Sequence, residues 1–145
     1  MDFFSSMNVS SSALTAERTR MNLISSNLAN ANATRTPEGG PYKRKDAVFA
    51  ATPVQNPFAR ALDKASGQEV RRVEVMQVNE DQNKPRMQYD PSHPDADPQG
   101  YVAMPNVNVV EEMADMINST RTYEANVTAV QAAKSMALKT LEISK

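Results

Sequence analysis

The residues best suited to chemistry lie in one short stretch, Asp90-Pro-Ser-His-Pro-Asp-Ala-Asp-Pro, which holds the only histidine of the chain. A histidine beside a serine and several carboxylates could serve in nucleophilic or general acid–base catalysis. His93 is flanked by prolines, however, so the stretch is expected to be a loop, and no Ser–His–Asp set follows from it. Asp90, Asp95 and Asp97 could bind calcium, but they do not form the D-x-D-x-[DN]-G pattern of a calcium loop. The sequence therefore predicts no catalytic residue and no metal site here.

The rest of the sequence offers no other catalytic or cofactor motif. Glu38-Gly-Gly-Pro41 is predicted to be a turn rather than a phosphate-binding loop, because no strand precedes it and no helix follows. No cysteine is present, which excludes disulfides and thiolate chemistry. The net charge is −1 and is spread evenly, and the short basic runs at 43–45 and 71–72 are interpreted as solvated strand edges. Nucleic-acid binding is therefore not expected.

The positions of the helix-breaking residues predict the overall organisation. All nine prolines and all four glycines lie between Pro37 and Pro105. Proline costs a helix interior about 3 kcal/mol and glycine about 1 kcal/mol. We therefore predict an N-terminal helix in residues 1–36, a β-rich module with a connecting elbow in 37–105 and a C-terminal helix in 106–145. The fold class is mainly α with a small β-rich insert (α+β), with the terminal helices paired as a coiled coil and the β module outside them.

Each predicted helix carries a seam of apolar residues. In the N-terminal helix, Met7, Leu14, Met21 and Leu28 recur every seven residues, as in a coiled coil, and the helix is expected to end near Asn30 or Asn32. Asn108 and Glu111 read as a capping box for the C-terminal helix, and Glu111 and Glu112 suit its dipole. The seam predicted for that helix consists of Val109, Met113, Met116, Thr120, Tyr123, Val127, Val130, Lys134, Ala137 and Leu141.

The middle segment has the composition of short strands. The runs 45–52, 70–78, 86–89 and 101–104 contain β-branched or aromatic residues and are separated by Pro, Gly and Asn. Residues 79–85 are predicted to close a hairpin between the second and third runs, and residues 58–65 to form a short helical turn. This module has few large apolar residues, so an independent enzyme domain is not expected.

Two helices around a small module leave much of each apolar seam without cover. We therefore expect the chain to act by assembly and its two ends to order when neighbouring subunits cover them. No run approaches the ~20 apolar residues of a membrane span, so direct membrane insertion is not expected. The N-terminus does not resemble a secretory signal. Its Ser, Thr, Asn and Arg content resembles a transit peptide, but the matching seam at the other end of the chain favours a structural helix.

Motifs at both ends resemble those of the axial proteins of the bacterial flagellum, and of one proximal rod protein in particular. The matching segments are Ser12-Ala-Leu-Thr-Ala16, Ser26-Asn-Leu-Ala-Asn30, the run from Thr34 through Tyr42 to Asp46, Asp90 to Asp97, Gly100 to Asn108, Glu111-Glu-Met113 and Arg121-Thr-Tyr-Glu-Ala-Asn126. Only residues 54–85 lack the resemblance. The run Pro37-Glu-Gly-Gly-Pro-Tyr42 departs from the shorter turn of most relatives and favours the proximal rod protein.

The resemblance implies a structural subunit of the proximal rod, in the basal body and across the periplasm, that transmits torque from the membrane ring toward the hook. It implies export by the flagellar type III apparatus without a cleaved signal peptide. The implied partners are copies of the chain, other rod proteins, and membrane-ring and rod-base components. Residues 30–44 would form the elbow. The expected assembly residues are Met7, Leu14, Met21, Asn27, Leu28, Asn30, Tyr42, Met113, Met116, Tyr123, Val127, Val130 and Leu141.

Two other functions are weighed against the rod. A soluble coiled-coil adaptor shares the seams but does not explain motifs at both termini, and it would form a discrete small oligomer. An enzyme acting on the cell wall would need an acid–base pair in a cleft, and the sequence shows none. No cofactor is expected in any of these readings.

Ordering on assembly makes a prediction for the monomer. In a dilute, verified monomer, amide hydrogens of residues 1–36 should exchange faster than those of residues 43–104, because the N-terminal helix is rich in Ser, Thr and Asn and its seam lacks neighbours. Hydrogen exchange followed by mass spectrometry checks this. Protected terminal segments in that monomer would contradict it.

Overall fold

The computed structural model describes residues 3–53 and 71–143, which form two long helices and four strands. In chain order these are α1 (Phe3–Ala29), β1 (Lys45–Pro53), β2 (Arg71–Glu80), β3 (Arg86–Tyr89), β4 (Tyr101–Met104) and α2 (Val109–Ile143). The predicted α+β class, with terminal helices and a small β-rich middle, is confirmed. The helical turn predicted at residues 58–65 lies outside the described residues.

The helices hold many hydroxyl side chains, which bond back to their own backbone. Thr15 and Thr19 donate to the carbonyls of Ser11 and Thr15, and Thr122 and Thr128 donate to carbonyls four residues earlier in α2. This arrangement satisfies each hydroxyl without a partner outside the helix. It explains how segments rich in Ser and Thr, in which proline and glycine are absent, can form helices.

The two helices pack side by side and run antiparallel. Asn27 of α1 contacts Glu112 of α2, and the Sδ of Met21 lies 3.9 Å from the hydroxyl oxygen of Thr120, whose proton is donated to the Met116 carbonyl. Residues earlier in α1 therefore lie beside residues later in α2. The sequence left parallel and antiparallel pairing open, and these contacts select the antiparallel pair.

Helix α1 also packs against a two-stranded antiparallel sheet of β1 and β2. Ala47, Phe49 and Ala51 pair with Val78, Val75 and Val73. A bulge at Met76, where two residues of β2 face one of β1, keeps Val73, Val75 and Val78 on one face although Val75 and Val78 are three positions apart. The Arg20 guanidinium of α1 lies 5.5 Å from the centre of the Phe49 ring, so this face is the one toward α1.

The hairpin predicted between the second and third strands is wrong. Strand β3 pairs with β4, and β2 pairs with β1. The segment after β2 is bound elsewhere, because the Asp81 amide donates to the Arg44 carbonyl at 2.8 Å and the Asn106 side chain donates to the Asp81 carboxylate at 3.2 Å. Asp81 therefore ties the end of β2 to the start of β1 instead of turning the chain back.

Within the described residues the buried apolar core is small. Its members are Ala16, Ile24, Ala31, Ala47, Val102, Val107 and Ala133. Four of these are alanines, so little apolar area is buried by any one contact. Neither described helix has the length and apolar character needed to cross a bilayer.

Gly100 allows the β3–β4 pair to close tightly, which gives a prediction. Its φ is +84°, and a Cβ there would lie 2.9 Å from Cε2 of Tyr89 and 3.2 Å from Cβ of Pro91. Gly100→Ala should lower the free energy of unfolding by about 1–3 kcal/mol, measured by urea denaturation. Gly39→Ala is the matched control, since Gly39 has φ +90° but nothing within 4 Å of an added Cβ. Equal losses in the two variants would contradict the role given to the close approach.

Candidate functional site

The Asn27 side chain, at the last turn of α1, joins three segments of the chain. It is 1% exposed. Its Oδ1 accepts hydrogen bonds from the Lys45 amide at 2.9 Å and the Tyr42 hydroxyl at 3.0 Å, and its Nδ2 donates to the Lys45 carbonyl at 2.9 Å and Glu112 Oε2 at 3.0 Å. Every polar group of this amide therefore has a partner, as a buried amide requires.

Glu112 and Arg44 complete this cluster, which we call the elbow network (Asn27, Tyr42, Arg44, Lys45 and Glu112). Glu112 is 1% exposed, and its Oε1 accepts a hydrogen bond from Nε of Arg44 at 2.5 Å. Its other oxygen is bonded to Asn27. The buried carboxylate therefore has a cation and an amide as partners, the condition under which a buried charge is tolerated.

The charge environment of Arg44 follows from these contacts. Burial by itself lowers the pKa of the Arg44 guanidinium, but the hydrogen bond to Glu112 and the negative charges of Glu112, Asp46 and Glu111 together outweigh it, and the net shift of the pKa is upward. Asp46 and Asp115 lie 3.8 and 3.9 Å from the other guanidinium nitrogens. The interpretation of residues 43–45 as a solvated basic run is therefore wrong for Arg44, because its charge is used inside the chain.

The predicted elbow residues lie at the network and beside it. The Tyr42 hydroxyl, besides its bond to Asn27, lies 3.3 Å from the Ser26 hydroxyl, and the Tyr42 amide donates to the Ala33 carbonyl at 3.0 Å. Asn30 instead donates to the Ser26 carbonyl of its own helix at 2.9 Å. Asn27 and Tyr42 thus hold the elbow, whereas Asn30 caps the helix end. Their part in contacts between subunits stays a prediction.

The predicted seam of α1 lies partly against the second helix. Met7, Leu14, Met21 and Leu28 are all half-buried. Met21 contacts Thr120, and Met7 and Leu14 line a groove to which α2 contributes Val130.

The predicted seam of α2 is only partly in phase with the observed one. Met116, Tyr123, Val127, Val130 and Ala137 are half-buried, but Val109, Met113, Thr120, Lys134 and Leu141 are exposed. Glu112, Ser119 and Ala133 are buried in their place. Pairing with α1 therefore uses only part of the predicted seam, because this contact admits a paired carboxylate and small side chains that let the helices approach closely. The part of the exposed positions in contacts between subunits stays a prediction.

Sequence reasoning did not identify Glu112 or the Lys45 backbone as parts of the site, and it placed Arg44 in the predicted elbow without a partner. It interpreted Glu112 through the helix dipole and as part of the motif Glu111-Glu-Met113. A usable signal was present, since Glu112 precedes Met116 by four residues and so lies on the same helix face. The capping of α2 is also only half as predicted. The Asn108 side chain accepts from the Val110 amide at 3.2 Å, but within the described residues no bond joins Glu111 to the Asn108 amide.

The stretch around His93 is a folded loop. Nδ1 of His93 accepts from the Asp95 amide at 3.1 Å, and the Asp95 carboxylate accepts from the Thr34 hydroxyl at 2.8 Å. The Ser92 hydroxyl and amide donate to Asp90 and lower the pKa of that carboxyl. These bonds stabilise turns. A search of the described residues for three or more clustered His, Asp or Glu side chains found no candidate metal site.

Large apolar side chains are exposed along α2 and on the β-rich module. Val110 is 77% exposed and Met113 and Ile117 are each 54% exposed, at spacings of three and four that place them on one face. Met136, Leu138 and Leu141 are exposed near the other end of the helix. Soluble monomers rarely expose such contiguous apolar surface, and it is typical of sites of protein contact.

Comparison with known families assigns both ends of the chain to the same class. Residues 7–35 match the family model described as flagella basal body rod protein, and residues 99–143 match the one described as flagellar basal body rod FlgEFG protein C-terminal. These two segments contain most of α1 and all of α2. The helical ends therefore carry the signature of flagellar basal-body rod proteins.

Relatives that match over nearly the whole chain identify the family within this class. The chain is 46% identical to the flagellar basal-body rod protein FlgC of Borreliella burgdorferi, over 99% of this chain and 98% of the relative. It is 45% identical to FlgC of Bacillus subtilis over the whole of both chains, and 40% identical to FlgC of Salmonella typhimurium over 94% of each. The chain belongs to the FlgC family and is a structural subunit of the flagellar basal-body rod.

The completeness of the bonding around Asn27 gives a prediction. Asn27→Ala should lower the free energy of unfolding by about 2–4 kcal/mol, because it leaves the Lys45 backbone groups and Glu112 short of a partner. Asn30→Ala is the matched control, since it loses one bond to its own helix and should cost about 1 kcal/mol or less. Chemical denaturation of the two variants checks this. Equal effects would contradict the central position of Asn27.

Proposed function

We propose that this subunit assembles helically, with copies of itself or other rod proteins, through the exposed apolar face of α2, and that the assembled rod transmits torque from the membrane ring toward the hook. The observation that carries the proposal is the exposure of Val110, Met113 and Ile117 on one face of a 35-residue helix. An open helical assembly needs unlike patches that meet head to tail. This face supplies one such patch, and the half-buried seam residues Met116, Tyr123, Val127 and Val130 lie beside it.

The edges of the β1–β2 sheet support contact through helices rather than through added strands. At the outer edge of β1, Asn27 occupies the Lys45 amide and carbonyl, and Asp46 accepts from the Ala47 amide. At β2 the Val73 amide donates to the Ser12 hydroxyl at 3.1 Å. Side chains thus occupy backbone groups that a neighbouring strand would need.

A torque-bearing subunit must also keep its shape under load. The elbow network supports this role, because it links α1, the start of β1 and α2 by directional hydrogen bonds that are shielded from water. We assign Asn27 and Tyr42 to holding the elbow and Asn30 to capping the end of α1 beside it, so that the part of these residues in assembly is to orient the faces that neighbours contact. Met7, Leu14, Met21 and Leu28 contribute by seating α1 on α2, and Leu141 extends the exposed face toward the C-terminal end.

The remaining parts of the proposal concern surroundings. The proposed partners include membrane-ring and rod-base components and the flagellar type III export apparatus, with export as a largely unfolded chain without a cleaved signal peptide and a final position across the periplasm. Helices rich in Ser, Thr and Asn and a core composed mainly of alanine and valine support this route, since little structure must be undone. No enzyme activity or cofactor enters the proposal, and the curated relatives are named as rod proteins.

The test is Met113→Asp, introduced in place of the native subunit in a flagellated cell. Met113 is exposed in the free chain, so stability should change by less than about 0.5 kcal/mol. At a contact between subunits, an unpaired charge should cost several kcal/mol. We expect loss of swimming in soft agar and loss of rods in micrographs of basal bodies.

Thr122→Asp is the matched control, because Thr122 is exposed on the same helix but projects from the side opposite Met113, and this variant should permit swimming. Normal motility and complete rods with Met113→Asp would refute the assigned face. Light scattering of the purified chain distinguishes the adaptor, since a discrete small oligomer at all concentrations would favour that function.

A further inference from the structure

The apolar contacts between α1 and α2 do not by themselves fix how far one helix has slid along the other. The observed seam contains flexible methionines, such as Met21 and Met116, and small residues, such as Ser119 and Ala133. Apolar contacts are non-directional, and methionine adapts to irregular surroundings. If α2 slid along α1 by one helical turn, it would replace the present apolar contacts with others of similar kind.

The carboxylate of Glu112 is different, because its partners are directional and occupy one position. Both oxygens are used, one by Arg44 and one by Asn27, in a site that is 1% exposed. We propose that Glu112 is a positioning residue that sets the axial register of α2 on α1. A single buried polar group can select one register among several of similar apolar content. The inference concerns the chain by itself and does not depend on the proposed assembly.

The structure also supplies the register that would replace the native one. Asp115 lies three residues further along α2, and its carboxylate is already 3.9 Å from Nη2 of Arg44. That ion pair is long and Asp115 is exposed in the native register, so the Asp115 carboxylate can take over both bonds of Glu112, to Nε of Arg44 and Nδ2 of Asn27, only if α2 moves by three residues, about 4.5 Å.

Asp46, which also faces Arg44, lies on the strand that follows Arg44, so it cannot draw α2 along. Glu111, whose charge also acts on Arg44, precedes Glu112 by one residue and so projects from a different side of α2. Asp115 is therefore the carboxylate of α2 that sets the direction of the displacement.

The natural absence of cysteine allows a direct measurement. Nitroxide labels are placed at Arg18→Cys with Gln131→Cys, and separately at Asn8→Cys with Arg121→Cys, all exposed positions. Distances come from double electron–electron resonance on the full chain. Movement of Asp115 to the place of Glu112 carries α2 toward the C-terminal end of α1. The first distance should then shorten and the second should lengthen, by up to about 4.5 Å.

The variants separate the register from stability. Glu112→Leu should populate the displaced register, seen as a shifted distance in both label pairs. Glu112→Gln, which keeps the side-chain length, should populate it to a smaller extent. Glu112→Leu combined with Asp115→Asn should lose the directed shift, because Arg44 then lacks the second carboxylate of α2. Glu124→Leu, an exposed acid on the same helix, is the control and should leave both distances unchanged.

The competing explanation is that the buried Pro105 and Val107, just before α2, hold the register. It predicts unshifted distances in folded Glu112→Leu and Glu112→Gln, and that result would overturn the proposal. Unfolding of both variants would also overturn it, since Glu112 would then act through stability. Displacements of the same sign in the two label pairs would indicate expansion of the helix pair and would likewise count against it.

Discussion

The buried amide of Asn27 is the interaction on which the rest of the structure depends. It must satisfy two donors and one acceptor away from water, and it does so with the elbow on one side and Glu112 on the other. A leucine would leave the Lys45 amide and carbonyl unpaired, and an aspartate would lack the donors and repel Glu112. Asparagine at this helix end therefore fixes where the chain turns and which face of α2 meets α1.

The elements themselves were predictable because their signals are local. The absence of breaking residues from both ends sufficed for α1 and α2, and the seven-residue spacing from Met7 to Leu28 predicted a face of α1 on which Met21 lies against α2. The face of α2 was harder, because hydrophobicity assigns Met113 to the seam and Glu112 to solvent. In the structure Glu112 is buried, since it meets Arg44 at a sequence separation of 68 residues, and Met113 is exposed in the single chain; the part of Met113 in contacts between subunits stays a prediction. A pattern within one helix cannot reveal a partner that far away.

The strand pairing failed for a related reason. A short segment between two strands predicts a hairpin when nothing else competes for it. Here Asp81 is held by the Arg44 carbonyl and by Asn106, so the end of β2 is anchored to the start of β1. Loop length alone contains no information on these contacts. The bulge at Met76 was in principle visible, because the three-residue step from Val75 to Val78 breaks the alternation of the strand.

The elbow network and the exposed face of α2 contribute in different ways. Hydrogen bonds of a buried amide and carboxylate are directional, so they define the shape of one subunit. Because these groups are buried and already bonded, they make no contact with a neighbouring subunit. Apolar side chains such as Val110 and Ile117 favour association with a neighbour, but their contacts are non-directional and do not fix its orientation. A rod subunit needs both properties, because adhesion without a fixed shape gives irregular aggregates, whereas a fixed shape without adhesion gives monomers. Placing Glu112 and Met113 next to each other on α2 couples the two, since the register that buries the carboxylate also determines which way the methionine faces.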